Sequence, residues 1–161
     1  MRLNLGARVY CMRQLSGSLP ADLQQLLVGD NKLSGTIPGF ITNGSNKLTR
    51  LDITANSFFG FIPTTLRAFT NLQWLNLQWN NLTVNASIPV KNFLPCLASL
   101  RNLSMISLEG NPLNATLPVF FGNLSTKLEI VDLGNCNMRE CFQQVGMCTV
   151  LKLQPQHTVH N

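Results

Sequence analysis

Five segments of the chain repeat one spacing, L-x-x-L-x-L-x-x-N-x-L, with the Asn slot also open to Cys. No other feature constrains the fold as strongly. The units are Leu23-Leu26-Val28-Asn31-Leu33, Leu48-Leu51-Ile53-Asn56-Phe58, Leu72-Leu75-Leu77-Asn80-Leu82, Leu103-Ile106-Leu108-Asn111-Leu113 and Leu128-Val131-Leu133-Cys136-Met138. The inner L-x-L has period two, so its apolar side chains point one way and the intervening residues the other. A strand this short cannot bury its apolar side alone. Units recurring at a fixed period of roughly 20 to 29 residues bury that side jointly, by stacking coil upon coil.

The Asn of each unit follows the strand, where the chain turns inward. Its carboxamide offers two donor hydrogens and an acceptor. These can satisfy backbone groups of the turn and the neighbouring coil that would otherwise be buried at a cost. Cys136 holds this slot in the fifth unit. A thiol is small, apolar and a weak donor, so it fits the same turn. The ladder is read as structural.

Such an array is a leucine-rich repeat solenoid. The expected architecture is α/β: a right-handed superhelix with parallel strands on the concave face and short helical or 3-10 coils on the convex face. About five to six repeats form one domain over residues 1–161, recognisable across 15–138, with degenerate or frayed ends at 1–14 and 139–161. Beyond the ladder, three units read Leu33-Ser34-Gly35-Thr36-Ile37-Pro38, Phe58-Phe59-Gly60-Phe61-Ile62-Pro63 and Leu113-Asn114-Ala115-Thr116-Leu117-Pro118. Leu15-Ser16-Gly17-Ser18-Leu19-Pro20 stands near the start. This L-S/T-G-x-I/L-P signature resembles the plant extracellular type of leucine-rich repeat. The chain looks like a piece of the ectodomain of a plant receptor-like serine/threonine kinase, of the group that senses microbial patterns.

That resemblance implies a second strand beside the concave sheet in each unit. It also implies a protein or peptide ligand, a co-receptor ectodomain as a further partner, and a role in defence signalling. The kinase does not carry over, because the chain has no Gly-rich loop, catalytic Asp motif or D-F-G. The expectation is a binding module, not an enzyme, with no cofactor. Two alternatives stay open: a secreted inhibitor similar to polygalacturonase-inhibiting proteins, which share the repeat type, and a truncated gene product without function.

Charged residues make up 12% of the chain, about half the usual ~25%. The net charge of +5 comes from basic residues scattered between Arg2 and Lys152, with no Lys/Arg run alternating with aromatics. That argues against a nucleic-acid interface. Six N-x-S/T sequons, at Asn43, Asn81, Asn85, Asn102, Asn114 and Asn123, favour an extracellular location and mark candidate glycosylation sites. Residues 1–20 hold no signal-peptide pattern, and no apolar stretch is long enough to span a bilayer. The simplest reconciliation is a secreted ectodomain piece without its export signal, membrane helix or kinase. The five cysteines are odd in number, which leaves at least one unpaired. Cys141 and Cys148 could imitate the family's C-terminal capping pair. His157 and His160 lie in a polar tail and suggest no metal site.

Three places break the pattern. Pro20 to Asn31 spans 11 residues, where Pro38 to Asn56 spans 18, so the first junction is expected to be distorted. Pro89 to Asn111 spans 22, and Phe93, Leu94, Leu97 and Leu100 recur there at helical spacing. A convex-side helix is expected over 90–100. After Met138 the pattern decays; Leu151 and Leu153 fit it only loosely. Without polar caps, exposed strand edges at the two ends would favour self-association.

Residues that alternate with the core leucines face outward on the concave sheet. The candidate ligand-binding stripe is Arg50, Asp52, Trp74, Asn76, Gln78, Trp79, Ser107 and Glu109. Trp and Arg are common interface anchors, and an extended peptide crossing the strands would meet them in turn. Asp52, Glu109 and Asp132 could be mistaken for an acid/base set, but an open sheet lacks the enclosing cleft such chemistry needs. Phe40, Ile41, Leu66, Phe69, Phe120, Phe121 and Leu124, lying between strands, are expected to fill the core beneath the convex coils.

Overall fold

The computed structural model describes residues 2–4, 19–42, 47–84, 96–114, 124–137 and 151–152. Among them the elements run β1 (Arg2–Asn4), β2 (Gln25–Leu27), β3 (Ser34–Gly35), α1 (Gly39–Thr42), β4 (Arg50–Asp52), β5 (Ser57–Phe61), a 3-10 turn at Thr64–Ala68, β6 (Trp74–Asn76), β7 (Asn81–Thr83), a 3-10 turn at Leu97–Ser99, β8 (Met105–Ser107), β9 (Ile130–Asp132) and β10 (Leu151–Lys152). The fold is a leucine-rich repeat solenoid.

One sheet runs β1-β2-β4-β6-β8-β9-β10. Its register places Leu3, Leu26, Leu51, Leu75, Ile106 and Val131 in a single row of parallel partners. The step along that row is 23, 25, 24, 31 and 25 residues. The long step holds the extra length seen in the sequence, and strand pairing absorbs it without slipping. A slip of one residue would carry every apolar side chain to the wrong face. Leu26, Leu51, Leu75 and Ile106 are all buried to 2% exposure or less. Each contributes roughly 1.5–3 kcal/mol of apolar burial that no coil could obtain alone.

A second sheet, β3-β5-β7, lies alongside. It is the extra strand implied by the plant-type signature. Ile41, Leu66 and Phe69 are buried under the convex side, and Leu124 packs against the same core. Phe120, Phe121 and the Phe40 side chain lie outside the described residues. So do Phe93 and Leu94; the described end of the expected convex helix is the 3-10 turn at Leu97–Ser99.

Both ends of the first sheet carry a further strand. Arg2–Asn4 pairs in parallel with β2. Its 23-residue step to Leu26 adds a strand one coil upstream of the first recognisable unit. Leu151–Lys152 pairs antiparallel with β9. The weak L-x-L match there signalled a strand but not its direction.

The ladder behaves as its chemistry requires. The Asn80 Nδ2 donates to the carbonyls of Ile53 (3.0 Å), Leu77 (3.2 Å) and Gln78 (3.0 Å), and its Oδ1 accepts from the Phe58 N–H at 3.0 Å. Asn56 and Asn111 repeat this pattern one coil earlier and one coil later. The Cys136 thiol donates to the carbonyls of Leu108 (3.1 Å) and Gly134 (3.3 Å). Just before each ladder residue the chain turns through the left-handed region, at Asp30, Ala55, Trp79, Gly110 and Asn135, with φ from 49° to 68°.

Candidate ligand-binding face

Strand register converts the candidate stripe into rows. Arg50, Trp74, Met105 and Ile130 form one row, and Asp52, Asn76, Ser107 and Asp132 the next. Thr54, Gln78, Glu109 and Gly134 follow two residues further along each strand. The rows are held in place by their own backbone. Asp52 Oδ1 accepts the Thr54 N–H at 3.1 Å, Asn76 Oδ1 the Gln78 N–H at 3.3 Å, and Asp132 Oδ1 the Gly134 N–H at 3.1 Å. These Asx turns order the side chains before any ligand arrives.

In the first row the Arg50 guanidinium carbon sits 4.4 Å from the centroid of the Trp74 ring, a cation–π pair. Arg50 Nε, Trp74 Nε1 and Thr54 Oγ1 are buried without a hydrogen-bond partner among the described residues. Buried polar atoms are rarely left so. Two of the three belong to the Arg50–Trp74 pair, and Thr54 stands two rows further along the same strand.

The far side of the stripe corrects the sequence expectation. Ser107, assigned to the exposed face, is 0% exposed, and its row neighbour Asp132 is 9% exposed. Ser107 is short and stands between longer neighbours. The Gln78 carboxamide reaches across, donating to Ser107 Oγ and, at 3.4 Å, to Asp132 Oδ2. Glu109 lies next to this network. Burial pushes its carboxyl above the ordinary range, and the charge and hydrogen bond of Asp132 push it further. This is a polar network of two carboxyls, a carboxamide and a hydroxyl, a different surface from the Arg50–Trp74 patch.

Trp79 leaves the stripe. It occupies the left-handed turn position (φ 52°) and is 50% exposed. Its ring lies against Gly110, where an added Cβ would come within 2.6 Å of a ring carbon. Together with Gly110 it lines a recess of about 470 Å³, shared with Phe59 and Asn81. Phe59 and Phe61, at 50% and 57% exposure, complete an aromatic patch that the sequence reading missed. The signal was the Phe59-Gly60-Phe61 alternation, where other units carry small or polar residues. Of the sequons, Asn81 is exposed on β7, and Asn114 is exposed and donates to the Pro112 carbonyl at 2.9 Å. Asn102 is half-buried: its Nδ2 donates to the Thr70 carbonyl at 2.9 Å, and its Oδ1 accepts from Lys127 Nζ at 2.7 Å. Asn43, Asn85 and Asn123 lie outside the described residues.

No family model matches the chain. Receptor-like protein 39 of Arabidopsis thaliana is 31% identical over 131 residues, covering 70% of this chain and 15% of that protein. The PEPR1–AtPEP1 crystal structure matches 85% of this chain and 18% of its own, at 31% identity and a TM-score of 0.66. The Arabidopsis receptor kinase HAESA, solved with the peptide hormone IDA and the co-receptor SERK1, matches 73% of this chain and 19% of its own, at 29% identity and a TM-score of 0.63. The repeat is of the plant extracellular leucine-rich type. Among solved proteins, the chain resembles segments of plant receptor ectodomains, and it spans less than a fifth of the length of these three relatives. Among its described residues no helix is long and apolar enough to cross a membrane.

Proposed function

We propose that this solenoid is the peptide-recognising part of a plant receptor ectodomain acting in defence signalling, and that it works by binding without chemistry. The observation carrying this reading is the Arg50–Trp74 stack on the concave sheet, a pair of common interface anchors held together across two coils. A peptide crossing the strands here covers the indole. Its carboxylates or carbonyls pair with the guanidinium of the part-buried Arg50. Asp52, Asn76 and Gln78, already ordered, set the register of the peptide. HAESA, of similar fold, is solved with a peptide hormone and a co-receptor. By that parallel a co-receptor ectodomain is the second partner, and the setting is extracellular.

The test pans a display library of random extended peptides on the secreted chain. Peptides selected by the wild type should lose at least ~10-fold in affinity on Trp74→Ala or Arg50→Ala, as an anchor pair does, with a melting curve still cooperative. If neither substitution changes the affinity of any selected peptide, the Arg50–Trp74 patch is not the site.

A further inference from the structure

The aromatic recess beside the ladder turn is outside the concave rows. Its edge carries a chemically distinctive residue: Asn81, the acceptor of the sequon Asn81-Leu82-Thr83. In the parallel pairing of β5 with β7, Phe59 is the partner of Asn81, and Phe61 is the partner of Thr83. Partners in a parallel ladder project to the same side, so sequon and aromatics share one face. Leu82 between them points into the core at 0% exposure. Trp79, two residues before Asn81, lines the same recess. Its indole rests with one face on Gly110.

Phe59, Phe61 and Trp79 form an exposed apolar cluster, of a kind that marks an interaction surface when contiguous. The volume of about 470 Å³ lies in the roughly 300–1,000 Å³ range of small-ligand sites. The Asn81 side-chain amide makes no hydrogen bond to another described residue. Asn102 and Asn114, by contrast, use Nδ2 to bind a backbone carbonyl.

We propose that Asn81 carries an N-linked glycan whose first N-acetylglucosamine seats between Phe59 and Trp79. In the secretory pathway, Asn81 Nδ2 attacks the anomeric carbon of an oligosaccharide carried on a polyisoprenyl diphosphate. The new C–N bond replaces the C–O bond to the diphosphate. The lipid diphosphate leaves, and Nδ2 gives up one proton. Once the chain folds, the C–H face of the sugar lies against the electron-rich ring faces, and the glycan covers apolar surface that would otherwise promote association.

The inference takes from the proposed function only the extracellular setting. The experiment enforces that setting with an added export signal, and peptide binding plays no part in the readout. The chain is secreted from eukaryotic cells as wild type, Thr83→Ser, Thr83→Val and Asn81→Gln. Glycopeptide mass spectrometry should find Asn81 occupied in the first two and bare in the last two. Hydroxyl-radical footprinting should then show oxidation of Phe59 and Trp79 rising roughly two- to threefold when the glycan is absent, as half-exposed rings lose their cover. Trp74 serves as the unchanged reference. Glycan amidase treatment of the folded wild type supplies the same comparison should a variant fail to secrete. A bare Asn81 in the secreted wild type overturns the proposal. So does equal oxidation of Phe59 and Trp79 with and without the glycan.

Discussion

The middle coils and the last coil of the array close the same turn with different atoms. Asn56, Asn80 and Asn111 each donate to carbonyls of two coils. Each also accepts, through Oδ1, an N–H of the coil before: Leu33, Phe58 and Leu82 respectively, all at 3.0 Å. Cys136 can donate but has no comparable acceptor. The equivalent N–H, of Leu113, turns instead to the backbone carbonyls of Asn111 (2.8 Å) and Cys136 (3.1 Å). A second-sheet strand, β3, β5 or β7, forms wherever a carboxamide receives that N–H. At Leu113–Asn114 none forms, and Asn114 bends to φ 50°. The carboxamide therefore does two jobs. It ties coil to coil, and it aims the chain into the second sheet. Among the described residues the thiol is seen in the first.

The most drastic way to break this comparison is to remove the core that both kinds of coil share. Leu77 is 0% exposed in the middle of the stack. Leu77→Asp buries a charge with no partner and should cost more than about 4 kcal/mol, enough to unfold a small array. Circular dichroism melts would check it, and a cooperative transition near that of the wild type would contradict the shared core. Nearest-neighbour coupling should spread the loss to coils on both sides.

A sharper version compares the two turn chemistries directly. Asn80→Ala strands the Phe58 N–H in a buried setting and leaves the Ile53, Leu77 and Gln78 carbonyls with only their second donors, from Asn56, Asn111 and Ala55, at an expected cost of about 1–3 kcal/mol. Cys136→Ala removes two weak donations and should cost about 1 kcal/mol or less. Denaturant midpoints of the two variants measure the difference, and equal losses would mean that the carboxamide is not the stronger tie. Cys136→Asn should go the other way, drawing the Leu113 N–H onto a side-chain acceptor and gaining up to about 1 kcal/mol. Slower amide exchange at Leu113 would report it.

The same contrast explains what the sequence could reveal. The ladder, the strand rows and the second sheet were legible because fixed spacing, not long-range folding, sets them. The Phe58-Phe59-Gly60-Phe61 unit announced β5 in this way. Arg50 and Trp74 were legible as neighbours because parallel register follows from the repeat. The burial of Ser107 was not legible, because it depends on how far the Gln78 side chain reaches from the adjacent coil. Nor was the reversed direction of β10, where one weak L-x-L serves either strand polarity. The placement of Trp79 could have been found by aligning the turn slot. Asp30, Ala55, Gly110 and Asn135 occupy the same position, and three of these are Gly, Asn or Asp, the types that tolerate a left-handed turn.

The smallest expected effect lies at the end of the concave rows, where the last coil meets the middle. Glu109 has a carboxyl pushed up by burial first and by Asp132 second. A carboxyl raised in the folded state holds its proton there more tightly than in the unfolded chain. Its contribution is therefore present below the ordinary carboxylate range and is lost as pH rises through the raised value. Glu109→Gln removes that titration while keeping a hydrogen-bonding partner for Asp132. Between about pH 4 and pH 7 the variant should gain steadily on the wild type, by no more than about 0.5 kcal/mol for a site this open to solvent. Paired denaturation curves across that window measure the gain, and a pH-independent difference would show that the Glu109 carboxyl is not raised in the folded chain.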